Sequence, residues 1–198
     1  MFSGIVEATG QILEAQKRPG VIQIKIKKPN DFNDIKEGDS IAVNGICLTV
    51  EAYDDNSVQF ALAAETLQVT GWKAENLKGQ EVNLERSLRF GDRLHGSIMT
   101  GHVDTVGHIA DIIEEGESWF IWVEIPEDYM KFMWKKSSVI LNGVSLTINE
   151  VEANKLQVCL IPETLQRTNL KQLKKADPIN VEVDFLNRSV AHLIKDKI

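Results

Sequence analysis

The chain has 198 residues, 43% of them hydrophobic and 26% charged, and carries a net charge of -7 from 22 Lys and Arg against 29 Asp and Glu. At roughly 150 residues per domain the length gives about 1.3 domains, which excludes a small stapled scaffold but does not choose between one domain and two. The apolar content excludes a disordered chain, and the surplus of acid argues against a duplex-binding protein, which needs cations to displace counterions.

In chain order, VIQIKIKK (21–28) alternates apolar and polar residues at period two and predicts a strand. IAVNGICLTV (41–50) predicts two short strands around Asn44-Gly45, a dipeptide that tolerates the positive φ of a tight hairpin. The turn residues Asp54, Asp55 and Asn56 precede a further strand, SVQFALA (57–63). Short helical pieces follow ETL, around Trp72 and Leu77, and VNLE (82–85) reads as a strand. Residues 86–96 read as a linker containing Gly91 and Gly96.

Beyond the linker the chain repeats itself. Gly4 and Gly101 lie 97 apart, as do Gly10 and Gly107. DSIAVNGICLTV (39–50) returns as SSVILNGVSLTI (137–148) and ETLQVT (65–70) as ETLQRT (163–168), each at an offset of 98. EVNLE (81–85) returns as PINVE (178–182), and LQRTNLKQLKK is the helical counterpart of the stretch after ETL. Matching blocks in one order at a near-constant offset mean two copies of one domain, not a short-period solenoid. About six strands in each ~90-residue copy predict an all-β fold of two tandem six-stranded barrels with short helices. The domains are read as 1–88 and 89–186, with residues 187–198 as a C-terminal helix.

In that last segment Asn187 or Ser189 is the expected cap, and Val190, Leu193, Ile194 and Ile198 form one apolar face. A helix of about ten residues is not stable alone in water. It packs either on its own barrel or on a partner chain, as an oligomerisation element; the sequence leaves the two open. The two cysteines, Cys47 and Cys159, make no framework and no C-x-x-C pair, so a reducing, cytoplasmic setting is expected. No run reaches the ~18 apolar residues of a membrane span. The start MFSGIVEATG lacks a secretory n-region, and the end IKDKI matches no retention or lipidation motif.

The chain contains no G-x-S-x-G, Walker loop, H-E-x-x-H or G-x-G-x-x-G, and the six-residue spacing of His102 and His108 suits no helical or strand metal pair. The repeats share Ser, Thr, Asn, Gly and Glu, residue types that bind neutral, hydrogen-bonding ligands such as a heterocycle or a polyol. A duplicated site implies two ligands, or a reaction between two copies of one molecule.

The MFSG start, NGICLTV with its echo NGVSLTI, GHVD, and IPETLQRTNL resemble the riboflavin synthase family of two-barrel trimers, over roughly residues 1–190. The resemblance implies dismutation of two 6,7-dimethyl-8-ribityllumazine molecules into riboflavin and a ribitylamino-pyrimidinedione, by transfer of a four-carbon unit without metal or organic cofactor. It implies a homotrimer whose active site pairs the N-terminal barrel of one subunit with the C-terminal barrel of its neighbour, two substrates per site. Association with lumazine synthase is a further expectation; nucleic acid and membrane are not expected partners.

Carried over by motif, the first site comprises Gly4, Ile5 and Val6, Ser40, then Cys47, Leu48 and Thr49, then Ala61, Leu62, Ala63, Ala64, Glu65 and Thr66. The second comprises Gly101, His102 and Val103, Lys136, then Ser145, Leu146 and Thr147, then Cys159, Leu160, Ile161, Pro162, Glu163 and Thr164. Phe2 is implicated in catalysis. His102 is the first candidate for proton transfer, and Ser145 and Thr147 aided by Asp184 the second. Cys47, Ser40 or water would add to the acceptor ring.

Plainer readings stand beside these. A lone strand cysteine such as Cys47 is usually a small buried hydrophobe; His102 reads equally as a turn histidine, and Ser145 and Thr147 as the polar face of a strand. Asn44 and Asn142 are explained by their turns, Asp184 by a solvated strand end, and Glu114-Glu115 and Lys174-Lys175 by the surface. The sequence departs from the family at His95-Gly96-Ser97, where Gly-Gly-His is common, and at Asn142, where many members have Asp. The rivals are a non-catalytic antenna protein of the same fold, usually with one repeat degraded, and an oligonucleotide-binding barrel pair. The latter would want exposed aromatics and cations, and aromatics are only 7% of this chain.

Overall fold

The computed structural model describes residues 1–194, so the expected helix position Ile198 lies outside the described residues. The first repeat forms β1 (Ala8–Arg18), β2 (Val21–Lys27), β3 (Ser40–Val43), β4 (Ile46–Thr49), β5 (Ala52–Tyr53), β6 (Ser57–Ala63), helices α1 (Ala64–Thr70) and α2 (Ala74–Leu77), and β7 (Glu81–Arg86). The second forms β8 (Thr105–Glu115), β9 (Ser118–Glu124), α3 (Glu127–Met130), β10 (Ser138–Leu141), β11 (Val144–Glu152), β12 (Lys155–Leu160), α4 (Pro162–Arg167), a 3-10 turn (Asn169–Gln172) and β13 (Pro178–Val183). Helix α5 (Phe185–Ile194) follows.

The second repeat is a closed barrel in the order β10-β11-β12-β9-β8-β13. The first keeps that strand order in a seven-stranded sheet, β4-β3-β7-β1-β2-β6-β5. It is the same barrel cut at one point, because the course of the nine-residue β11 is interrupted there at Val50 and Glu51. In each repeat the long first strand pairs with the last strand through its beginning and with the second strand through its end, with a register shift between Ile12 and Glu14 or between Ile109 and Asp111. Such a bulge bends one strand enough to serve both sides of a small barrel.

Inward positions fill each barrel: Ile12, Ile24, Phe60, Leu62 and Val82 in the first, Ile109, Val123, Ile148, Leu156 and Val181 in the second. A third, smaller core of Phe2, Ala42, Met99 and Ile140 lies between the barrels. The predicted hairpins form: Asn44 and Asn142 take φ of 46° and 47°, followed by Gly45 and Gly143 at 82° and 80°. Two helical details differ from expectation. Helix α1 takes in the ETL sequence itself, and α3 was not legible as a helix.

The C-terminal helix begins at Phe185, and its cap is neither Asn187 nor Ser189. Asp184 Oδ1 accepts hydrogen bonds from the Leu186 and Asn187 amides at 3.0 and 3.2 Å. Asn187 and Ser189 lie inside the helix, bonding the Phe132 and Phe185 carbonyls. An acid at the N-terminus also complements the helix dipole. No described helix is long and apolar enough to cross a membrane.

Candidate functional site

Alternation on β4 turns Ile46 and Leu48 into the barrel, leaving Cys47 half-buried and Thr49 exposed on its outer face. β11 does the same with Val144 and Leu146 inside, Ser145 half-buried and Thr147 exposed. The β11–β12 ladder begins only at Ile148–Val158, so Ser145, Leu146 and Thr147 are not paired to β12. On their other side Ser145 and Thr147 pair with Ile140 and Ser138. Thr49 and Cys47 likewise pair with Ser40 and Ala42. The ends of β6 and β12 bring Ala61 and Ala63, and Cys159, to outward positions, with Leu62 and Leu160 buried. The chain then turns into α1 through Ala64, Glu65 and Thr66, or into α4 through Ile161, Pro162, Glu163 and Thr164. Each repeat therefore carries an outward-facing stretch of small and hydroxyl side chains beside an unmade ladder.

Residues 4–6 and 101–103 lie against these strands, and they cross between barrels. Gly4 O accepts a 2.8 Å hydrogen bond from Ser145 N in the second barrel, and Gly101 O accepts one of 2.8 Å from Cys47 N in the first. These glycines have φ of 74° and 80°. A Cβ would come within 2.6 Å of Ser145 Cβ at Gly4 and within 2.5 Å of Cys47 Cβ at Gly101. Only glycine permits that conformation and approach together. Ile5 and His102 are exposed, Val6 is buried, and Val103 is half-buried.

His102 is tied by its backbone, whose amide donates to Thr100 Oγ1 at 3.3 Å. Lys136 is exposed in a left-handed turn, φ 73°, where the first repeat has Gly38 at 90°. A lysine there accepts strain of about 1 kcal/mol that glycine avoids. Ser40 joins Ser3 and Ile5 in a cleft of about 600 Å³ whose far wall is the linker, including Arg89, Arg93 and His95. Ser97 is buried, its Oγ 2.8 Å from Ser145 Oγ and its amide bonded to Ser3 O at 2.9 Å. Phe2 is fully buried in the inter-barrel core, and Asp184 caps α5. Glu163 pairs with Arg167. Among the described residues no group of three or more His, Cys, Asp or Glu is placed to hold a metal.

The sequence reading missed the carboxylates beneath the crossing segments. Glu85 accepts from Ser3 N, Ser3 Oγ and Gly4 N at 2.7, 2.8 and 3.0 Å. Glu182 accepts from Thr100 N, Thr100 Oγ1 and Gly101 N at 2.7, 2.7 and 3.0 Å. Burial raises the Glu85 carboxyl to about 7 against the pull of its hydrogen bonds. Burial also raises Glu182 and Asp104, opposed first by the hydrogen bonds from Thr100 at Glu182 and from the Val183 amide at Asp104 and less by Arg188. The available signal was the glutamate kept 97 residues apart in EVNLE and PINVE.

The asparagines were also under-read. Asn83 Nδ2 donates to Asn142 O and Asn180 Nδ2 to Asn44 O, each at 2.9 Å, stitching the barrels together. Asn169, where the first repeat has Gly71, adds bonds to Asn44 Oδ1 and Asn83 Oδ1.

The pattern defining the Lumazine binding domain matches residues 3–87 and again 100–184. Fold and duplicated site thus define a protein of tandem lumazine-binding domains. A riboflavin synthase of Photobacterium leiognathi is 37% identical over 196 residues, covering 98% of this chain and 89% of that one. Riboflavin synthase of Escherichia coli (strain K12) is 34% identical over 198 residues, covering 98% and 92%. The crystal structure of LumP complexed with riboflavin superposes with a TM-score of 0.84 at 30% identity, over 92% of this chain and 99% of that one. The chain belongs to the riboflavin synthase family, and it is an enzyme.

Proposed function

We propose that the enzyme converts two molecules of 6,7-dimethyl-8-ribityllumazine into riboflavin and 5-amino-6-(ribitylamino)pyrimidinedione. The observation that carries this is the pair of matched outward stretches, one per repeat, each backed by a segment braced on the other barrel. Two identical substrates need two related seats. Every atom of the two lumazines appears in the two products, so the transfer of a four-carbon unit needs no outside oxidant. One lumazine loses a 7-methyl proton and attacks the other; holding the rings face to face removes much of the entropic barrier.

The first seat is formed by residues 4–6, Ser40, residues 47–49 and residues 61–66, and the second by residues 101–103, Lys136, residues 145–147 and residues 159–164. His102 moves the proton, with Ser145 and Thr147 aided by Asp184 as the alternative; Phe2 takes part in catalysis, and Cys47, Ser40 or water adds to the acceptor ring. Domain boundaries at 1–88 and 89–186 go with this reading. The exposure of Ile5, Thr49, Ala63, Thr147 and Ile161 in the single chain supports seats that face a neighbouring subunit. Residues 187–198 then serve assembly, and the unit is a homotrimer. A cytoplasmic location fits two free cysteines, and association with lumazine synthase belongs to the same proposal.

Incubating the purified protein with 6,7-dimethyl-8-ribityllumazine alone is expected to yield riboflavin. Tight binding without product would instead favour the antenna reading, against which both repeats keep their motifs. Replacing His102 by Gln is expected to lower kcat by about a hundredfold; unchanged turnover would move the proton transfer to Ser145 and Thr147.

A further inference from the structure

Neither residues 4–6 nor residues 101–103 belong to a strand or helix, so a sheet ladder does not hold them in place. Glu85 and Glu182 stand at the same place in β7 and β13, the fifth residue of each strand. They are 4% and 1% exposed, and among the described residues neither forms a salt bridge. Each carboxylate instead spends both oxygens on three donors of the irregular segment in its own barrel. The next carbonyl of that segment then accepts from the opposite barrel: Gly4 O from Ser145 N, Gly101 O from Cys47 N.

Burying a carboxylate is costly, and the three donors that offset this cost at each glutamate all belong to the segment that meets the opposite barrel. The same arrangement occurs twice, with matching donors and nearly matching distances, so in both repeats the carboxylate is directed at the placement of that segment.

Resting on the proposed reaction, we propose that Glu85 and Glu182 are positioning residues that set the orientation of the two lumazine seats. Glu85 fixes Gly4 and, through the Gly4 carbonyl, the start of β11 in the other seat. Glu182 fixes Gly101 and, through its carbonyl, Cys47 on β4. Each carboxylate therefore acts on both seats of its chain.

The test uses the full chain with Glu85→Gln and Glu182→Gln, and Glu117→Gln at the exposed β8–β9 turn as control. Glutamine turns an NH₂ toward an amide that needs an acceptor, so one of the three bonds is lost. With 6,7-dimethyl-8-ribityllumazine, each of the first two variants is expected to lose at least tenfold in kcat while KM changes less than threefold. The absorption maximum of the bound lumazine is expected to move as well, and E117Q to match wild type. Wild-type kcat in both variants, or a loss equal to the unfolded fraction, overturns the proposal. If the glutamine variants do not fold, Ser3→Ala and Thr100→Ala remove one donor each and keep the carboxylates. A threefold to tenfold fall in their kcat sustains the proposal, and unchanged kcat overturns it. If wild type binds lumazine without turnover, the reaction reading fails by itself. The orientation claim is then judged on the bound-ligand spectrum: a band shifted in the variants sustains it, and an identical band overturns it. No binding by wild type overturns both.

Discussion

Burial and hydrogen bonding pull the Glu85 carboxyl in opposite directions, and burial wins: it is raised from 4.5 to about 7, with the nearby Glu7 adding to the rise. The folded state thus keeps a proton that the unfolded chain has released. This group's contribution is fully present below about pH 4.5 and is lost as pH rises toward about 7, by up to roughly 3 kcal/mol. Urea unfolding of wild type and E85Q at pH 5 and pH 7.5 measures it: wild type should lose stability relative to the variant at the higher pH. An equal difference at both pH values would contradict the assignment. Little of this was legible from composition, because a glutamate in an alternating strand reads as a solvated position. Only the three-dimensional return of residues 3 and 4 to β7 buries it. The asparagines divide in the same way. Asn44-Gly45 announces its turn through local sterics, but the bond from Asn180 to the Asn44 carbonyl joins residues 136 apart.

Among the elements, α5 carries an apolar face that its own barrels leave largely uncovered. Its apolar residues Leu186, Val190 and Leu193 are 55%, 56% and 72% exposed, so among the described residues one face is left largely uncovered. Its root, by contrast, is firmly held. Asp184 caps it, and Arg188 donates to Asp104 Oδ1 at 2.7 Å while Asp104 Oδ2 accepts from Val183 N. Asp104 directly follows residues 101–103, so the helix is anchored beside that segment. Under the trimer proposal, Leu186→Glu combined with Val190→Glu should lower the sedimenting mass and reduce turnover by at least tenfold. A variant that sediments and turns over like wild type would separate this face from assembly and catalysis. The helix was legible from its i, i+3, i+4 pattern. Its cap was not, since Asp184, Asn187 and Ser189 are all good capping residues and the docking to Phe132 and Asp104 decides among them.

At the scale of the molecule the two barrels are locked by reciprocal pairs. Phe2 and Met99 exchange backbone hydrogen bonds, Gly4 answers Ser145 as Gly101 answers Cys47, and Asn83 answers Asn142 as Asn180 answers Asn44. Besides the cut in the first barrel, the symmetry is broken at Ile5 against His102, Cys47 against Ser145, Gly71 against Asn169 and Gly38 against Lys136, and by Arg188 beside Glu182 where Glu85 has Glu7. Such differences make two copies of one site inequivalent, as a reaction with a donor and an acceptor requires. By itself the sequence determined the duplication, the β class, the hairpins and the kind of ligand, because these follow from periodicity, turn sterics and matching motifs along the chain. Only the tertiary structure decided that the Gly4 and Gly101 segments are each braced by the opposite barrel, which carboxylates lie beneath them, and that Phe2 sits in the core between the barrels. Those contacts join residues 54 to 141 positions apart, and burial and hydrogen bonding across such separations leave no periodic trace in the chain.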